Sequence, residues 1–440
     1  MAGTRILRLR TAGAALAVSA LILSACSAGA PAGSSVLGTL AGRTVSNATS
    51  GGAPDGAAPD GAGSTAQSGQ SAQSAAVTVP STTSSALPPP PPPPAEVTAV
   101  PADGAAGVDP LAPVTVTVAK GTLESVRMTN PDGAEVPGTL AADQLSWTAQ
   151  TELGYGKTYT LTTSARGAAS GAVTATTSSF TTVVPNNKTK AYLFPSDGTT
   201  VGIAQPVAIR FDEPVPDRAA ALKAITVTTT PAQTGGFRWI DDREVRWRPA
   251  EFWQPGTTVA VTVDVYGKDL GGGLYGQEDG AATFTVGRSM IAEIDDNTKS
   301  MVVKQDGQVI NQIPVSLGQN KYPTYNGIHV VAEKYDWKLM DSSTWGLTGT
   351  GAYRTNVQWA TRISSSGEFV HAAPWSVGSQ GYENVSHGCV NVSTDAAKWF
   401  YDTFIPGDPV IVRNTVGPDL EVWDGYGDFQ LPFDQYVQQA

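Results

Sequence analysis

His371-Ala-Ala-Pro-Trp-Ser-Val-Gly-Ser-Gln-Gly-Tyr-Glu-Asn-Val-Ser-His-Gly-Cys-Val-Asn-Val-Ser393 is the stretch from which the rest of the chain is read. It holds two of the three histidines and one of the two cysteines of the protein. The other cysteine, Cys26, lies in an N-terminal targeting pattern, which leaves Cys389 as the one free thiol expected in the mature chain. A lone thiol with imidazoles close in sequence suggests a nucleophile and its base. With a reference pKa near 8.5, a thiol is only slightly ionised at neutral pH, so an adjacent imidazole has to take its proton. Gly388 lets the backbone approach a substrate, and the N–H groups of Gly388 and Cys389 are candidates for stabilising an oxyanion. Two other readings stand beside this one on the residues alone. Cys389 could be a buried, inert thiol. Alternatively His329, His371, His387 and Cys389 could hold zinc, although their spacing matches no compact CxxC or HxxxH pattern. His329 sits in an alternating run and reads as an ordinary surface or packing residue.

Around this stretch, residues 288–413 read as one strand-rich domain. Ile291-Ala-Glu-Ile294, Ser300-Met-Val-Val-Lys304, Gln308-Val-Ile310 and Gly327-Ile-His-Val-Val331 are strand candidates. Asp306-Gly307 fits a hairpin turn between two of them. One helix is expected from Thr394 to Phe404, capped by Ser393 or Thr394 and ended by Pro406-Gly407. Ala396, Ala397, Trp399, Phe400 and Phe404 would form its buried face. Residues 414–440 carry Trp423, Tyr426, Phe429, Phe433 and Tyr436, too many aromatics to remain in solvent, so this subdomain is expected to fold back onto the third domain.

Upstream, short Thr/Val-rich alternating runs such as Val114–Val118 and Tyr159–Thr162 predict half-buried antiparallel strands. The unit repeats. Pro101-Ala-Asp-Gly104 before Pro113-Val114 returns as Pro195-Ser-Asp-Gly198 before Pro206-Val207, and Trp147 with Gly156 returns as Trp247 with Gly256. Two such copies, residues 96–184 and 185–287, with about seven short strands each, predict two immunoglobulin-like sandwiches without a disulfide. Trp147 and Trp247 read as core residues.

The first 26 residues form a targeting segment: Arg5, Arg8 and Arg10, a short apolar run from Ala12 to Leu23, then Leu23-Ser-Ala-Cys26. The last four resemble a bacterial lipobox, which implies cleavage before Cys26 and its lipidation. Residues 27–95 are Ala, Gly, Ser, Thr and Pro with almost no large apolar side chain, as expected for a disordered tether. Pro88 to Pro94 would add a stiff polyproline segment of roughly 20 Å. The net charge of −11 argues against nucleic acid as a partner and against electrostatic attraction to an anionic membrane.

His371, fourteen intervening residues and Ser386-His-Gly-Cys-Val-Asn391 together resemble the signature of bacterial L,D-transpeptidases, the penicillin-insensitive peptidoglycan cross-linkers. The resemblance extends through Met340-Asp-Ser-Ser-Thr344, Gly351-Ala-Tyr-Arg-Thr355, Ala373-Pro-Trp-Ser376 and Asp424-Gly-Tyr-Gly-Asp428, and it fits the lipoprotein branch with two immunoglobulin-like modules. It implies a mainly β protein: two immunoglobulin-like sandwiches, a catalytic β-sandwich domain with one helix, and a small C-terminal subdomain. It also implies Cys389 as nucleophile and His371 as base, with Ala372 orienting the imidazole through its carbonyl where the branch commonly has Ser. Ser386, His387, Gly388 and Asn391 would shape the oxyanion pocket. Met340, Tyr353 and Trp375 would line the substrate cleft under a flap from Gly346 to Gly351. No metal or organic cofactor is implied. The implied partners are donor and acceptor stem peptides, the membrane through the lipid, and carbapenems as covalent inhibitors. The expected activity is diaminopimelate-to-diaminopimelate cross-linking on the outer face of the cytoplasmic membrane, with the immunoglobulin-like pair as a spacer. L,D-carboxypeptidase trimming and non-catalytic wall binding are the alternatives.

Overall fold

A computed structural model describes residues 89–439. Cys26, the signal segment and most of the expected tether lie outside the described residues. Pro89 to Pro94 are exposed and unladdered, whereas Ala95 is buried in the first sandwich. The ordered domain therefore takes in one residue assigned to the tether, because a methyl there packs beside Gly121.

Alternation of apolar and polar residues builds the first sandwich, as in Thr158–Gly167, where every second side chain is buried. A four-stranded sheet (Glu96–Val100, Thr115–Ala119, Ser146–Ala149, Gly138–Leu140) faces a five-stranded one (Ala105–Val108, Val173–Thr182, Thr158–Gly167, Gly121–Thr129, Glu135–Val136). Val116, Leu123, Met128, Trp147, Leu161 and Phe180 fill the space between them. The second sandwich pairs Ala191–Phe194, Val207–Phe211, Glu244–Pro249 and Gly235–Trp239 against Thr200–Val201, Gly280–Val286, Thr258–Val263 and Ile225–Thr230. The strands exceed the expected seven because short edge pairs such as Glu135–Val136 carry no periodic pattern of their own. The repeat is structural as well as sequential. Asp103 Oδ1 accepts from Ser179 N–H and Asp197 Oδ1 from Thr283 N–H, each at 2.8 Å. Trp147 and Trp247 are both buried.

The third domain holds two further sheets. One runs Gln308–Pro314, Ser300–Gln305, Met290–Asp295, Pro409–Arg413, Gly327–Val330, and the other Lys334–Asp341, Arg354–Arg362, Phe369–Ala372, Val390–Val392. Asp306 and Gly307 both take positive φ, as a type I′ hairpin turn requires. The helix spans Thr394–Thr403, with Ser393 Oγ accepting from Ala396 N–H. Ala397, Phe400 and Phe404 are buried, while Ala396 and Trp399 are only half-buried at its rim.

The tail does more than fold back on the third domain. Asp424 Oδ1 accepts from Ser366 N–H (2.7 Å) and Gln430 Nε2 donates to Ile328 O (2.9 Å), both within that domain. Its aromatic end, however, docks on the second sandwich: the Arg248 guanidinium lies 4.7 Å from the Phe429 ring and 4.5 Å from the Tyr436 ring. Trp423, counted among the aromatics expected to pack, is 60% exposed. The second sandwich therefore receives the tail, which also bonds the third domain.

Candidate active site

The geometry of the site follows from one parallel strand pair. Phe369–Ala372 lies beside Val390–Val392 with His371 opposite Asn391, so the imidazole reaches the same opening as Cys389 two residues earlier. Gly388, at φ +114°, turns the chain into that strand through a conformation L side chains rarely adopt. A cavity of about 200 Å³ is lined by His371, Cys389, Ser386, His387, Asn391, Met340, Tyr353 and Trp375. The side chains expected from sequence to act here thus share one opening, and Ala372 contributes its carbonyl. Cys26 lies outside the described residues. Thr355, Val357 and Val385 complete the lining; Thr355 and Val385 fall within stretches singled out in the sequence but carried no role there, and Val357 lies outside them.

His371 is 4% exposed, and its Nδ1 lies 2.9 Å from Ala372 O. A carbonyl can only accept, so Nδ1 carries the proton and Nε2 is left unprotonated. Burial lowers the pKa of His371 to about 4, against a smaller raising effect of the Ala372 hydrogen bond. Burial likewise pushes the Cys389 thiol up to about 12; a backbone hydrogen bond at Phe369 lowers it, Glu368 raises it and Arg362 lowers it. Both groups therefore rest neutral. The thiol sits 3.8 Å from Gly367 O.

Ser386 holds the elbow. Its Oγ donates to Cys389 O at 2.6 Å and accepts from Gly388 N–H at 3.1 Å. The Gly388 N–H, expected to face an oxyanion, is thus engaged within the loop because a hydroxyl two residues back reaches it first. Thr324 Oγ1 donates to Gly388 O at 2.7 Å from a segment the sequence did not single out. Asn391 Nδ2 donates to Ser376 Oγ (3.2 Å), which pins the turn presenting Trp375, itself 60% exposed, over His371. His387 is sandwiched between Tyr322, stacked at 4.8 Å, and Tyr353 at 4.9 Å. Trp345, just before the Gly346–Gly351 segment, packs edge-on against Tyr322 at 5.7 Å, and Ser342 pins the neck of that segment through Leu347 O and Tyr353 N–H. A second cavity of about 730 Å³ adjoins the first across Met340, Tyr353 and His387, and is also lined by Lys321, Tyr322, Glu368 and Gly388 among others.

His329 is a packing residue, not a surface one, and it carries a polar partner. It is fully buried, and its Nε2 lies 2.8 Å from Glu368 Oε2. An alternating pattern places a residue on one face of a strand, but it does not say which face the domain covers.

Residues 289–412 match the family model of the L,D-transpeptidase catalytic domain, and residues 105–269, across both sandwiches, match that of a bacterial Ig domain. The chain is 49% identical over 343 residues to L,D-transpeptidase 2 of Mycobacterium tuberculosis (strain CDC 1551 / Oshkosh), covering 78% of this chain and 84% of that protein. It is 40% identical over 335 residues to L,D-transpeptidase 5 of Mycobacterium tuberculosis (strain ATCC 25618 / H37Rv), covering 74% and 73%. A solved LD transpeptidase in complex with imipenem aligns at 35% identity and a TM-score of 0.46 over 52% of this chain and 100% of that one.

Proposed function

Because the chain belongs to the L,D-transpeptidase family, we propose that Cys389 is the nucleophile that carries its acyl transfer and His371 the base. The donor is a tetrapeptide stem with diaminopimelate third and D-Ala fourth. As the Cys389 Sγ–H proton passes to His371 Nε2, the sulfur attacks the diaminopimelate carbonyl. The C–N bond to D-Ala then breaks, with the proton delivered from His371 to the leaving amine. A side-chain amine of a second stem attacks the thioester, loses a proton to His371 and releases the thiol, leaving a diaminopimelate-to-diaminopimelate cross-link. The observation that carries this reading is the opening of Cys389 and the oriented His371 into one cavity. The larger adjoining cavity favours an amine acceptor over water, since it has room for a second stem. Hydrolysis would make the protein an L,D-carboxypeptidase instead. Incubating the purified protein with muropeptides separates the two: cross-linked dimer is expected, and trimmed tripeptide alone would replace transpeptidation with hydrolysis.

Carbapenems fit the same chemistry. A strained β-lactam carbonyl lets the thiol open the ring, its proton passing by way of His371 to the released ring nitrogen, and the opened ring then covers the face from which an acceptor must attack the thioester. Intact-mass measurement should show one drug-derived adduct on the parent protein and none on Cys389→Ala. Leu23-Ser-Ala-Cys26 supports a lipid anchor on the outer face of the cytoplasmic membrane. Cys26→Ser should move the protein out of the membrane fraction, and unchanged fractionation would remove that proposal.

A further inference from the structure

We propose that His329 and Glu368 form a buried positioning pair that ties the two sheets of the catalytic domain together behind Cys389 and fixes where the nucleophile sits. The inference rests on the reading of Cys389 as nucleophile. His329 belongs to the strand Gly327–Val330 of the five-stranded sheet, and Glu368 directly precedes the strand Phe369–Ala372 of the other. Their 2.8 Å contact is thus a cross-sheet link. His329 is fully buried and Glu368 is 6% exposed.

Both sides of the nucleophile depend on this pair. Glu368 stands between Gly367, whose carbonyl receives the thiol, and Phe369, whose backbone hydrogen-bonds to it. On the opposite side, Glu368 Oε1 accepts from Tyr325 N–H at 2.9 Å. The preceding residue, Thr324, donates through Oγ1 to Gly388 O at 2.7 Å and accepts from Gly318 N–H at 2.9 Å. Gln319 N–H in turn donates to Ser386 O at 3.0 Å. One carboxylate therefore sets the strap on which the thiol rests and the cradle under residues 386–388.

Stability alone does not call for such a pair, since replacing both partners of a buried hydrogen bond by apolar groups of the same shape is often nearly neutral. Directional placement does call for it, because a misplacement of about 1 Å at a reacting atom costs on the order of 10²-fold. The unpartnered Nδ1 of buried His329 is consistent with this, being a polar atom retained although nothing in the described residues bonds it.

The test uses the mature protein with His329→Leu, Glu368→Ala and Glu368→Gln. For each variant it reads melting temperature, kcat and KM on muropeptides, and the pH profile of Cys389 alkylation by iodoacetamide. Parent protein that forms no Cys389 adduct with imipenem removes the nucleophile reading and this proposal with it. Given a reactive parent, folded His329→Leu and Glu368→Ala should lose about 10²-fold in kcat with little change in KM. Glu368→Gln keeps an acceptor for Tyr325 N–H and should lose only about tenfold. Its alkylation midpoint should also fall, because the carboxylate that raises the thiol is gone. A lowered melting temperature with unchanged kcat per folded molecule would make the pair merely structural and overturn the proposal. Equal losses for Glu368→Ala and Glu368→Gln, or an unmoved alkylation midpoint, would also overturn it.

Discussion

The main-chain carbonyl of Ala372 selects the tautomer of His371, and that bond survives any side chain at position 372. His371→Ala should therefore lower kcat by roughly 10²–10⁴-fold, the size of a general-base contribution, while Ala372→Ser changes it by less than about threefold. Comparable losses from both changes in steady-state kinetics would show that position 372 acts through its side chain as well as its carbonyl. Burial gives the same imidazole a second signature. Its folded pKa of about 4 lies below the unfolded value of 6.5, so between these pH values the unfolded chain binds a proton that the folded one does not. The contribution is fully present above pH 6.5, is lost as pH falls toward 4, and amounts to about 3 kcal/mol. Denaturant titrations of the parent and His371→Gln at several pH values should give a stability difference that grows in favour of the parent across that window. A flat difference would mean that the imidazole is solvated. The Ser386–Asn391 motif was legible because its residues are contiguous. Glu368 and Thr324 were not, because each acts on Cys389 across a sheet boundary that sequence spacing does not record.

Elements with their own periodicity were read directly. The alternation of Thr158–Gly167 and the Ser393 cap of the helix are local, and local physics decides them. The glycines beneath the two repeated tryptophans escaped notice, although they explain why the indoles fit. A Cβ on Gly138 would lie 1.9 Å from Trp147 Cζ2, and one on Gly235 would lie 2.1 Å from Trp247 Cζ2. Each indole occupies the space a Cβ on the neighbouring strand would need, which only glycine leaves open. Gly138→Ala should consequently cost about 1–3 kcal/mol through overpacking. Urea denaturation followed by tryptophan fluorescence measures this, and a neutral result would mean that the strand Gly138–Leu140 moves outward at no cost. The same lack of periodicity hid the short edge strands.

At the scale of the whole molecule, the tail joins a sandwich without any resemblance to a site to the loop beside Cys389. Arg246, on the strand Glu244–Pro249, bonds Asp428 Oδ2 at 3.0 Å and Gly425 O at 2.8 Å, and Asp428 also accepts from Tyr436 Oη at 2.8 Å. Just upstream of Asp428 the tail meets the active-site loop: Gly425 N–H donates to Ser365 Oγ at 2.9 Å, and Asp424 holds Ser366 N–H at 2.7 Å. Gly367, whose carbonyl receives the thiol, follows directly. Sequence showed that the tail was too aromatic for solvent but not which surface would cover it, because its partners are arginines far upstream in another domain. Asp428 is fully buried, so Arg246→Ala strands an unpaired carboxylate and should cost about 3–5 kcal/mol. Arg246→Met with Asp428→Leu removes both charges and should restore most of that stability. The loss should fall on the docking of the catalytic domain to the second sandwich. Calorimetry of Arg246→Ala should then resolve two transitions where the parent shows one, and cross-linking activity should drop as the 364–367 loop loosens. A single transition with full activity would show that the tail holds to the catalytic domain alone and that the second sandwich is only a spacer.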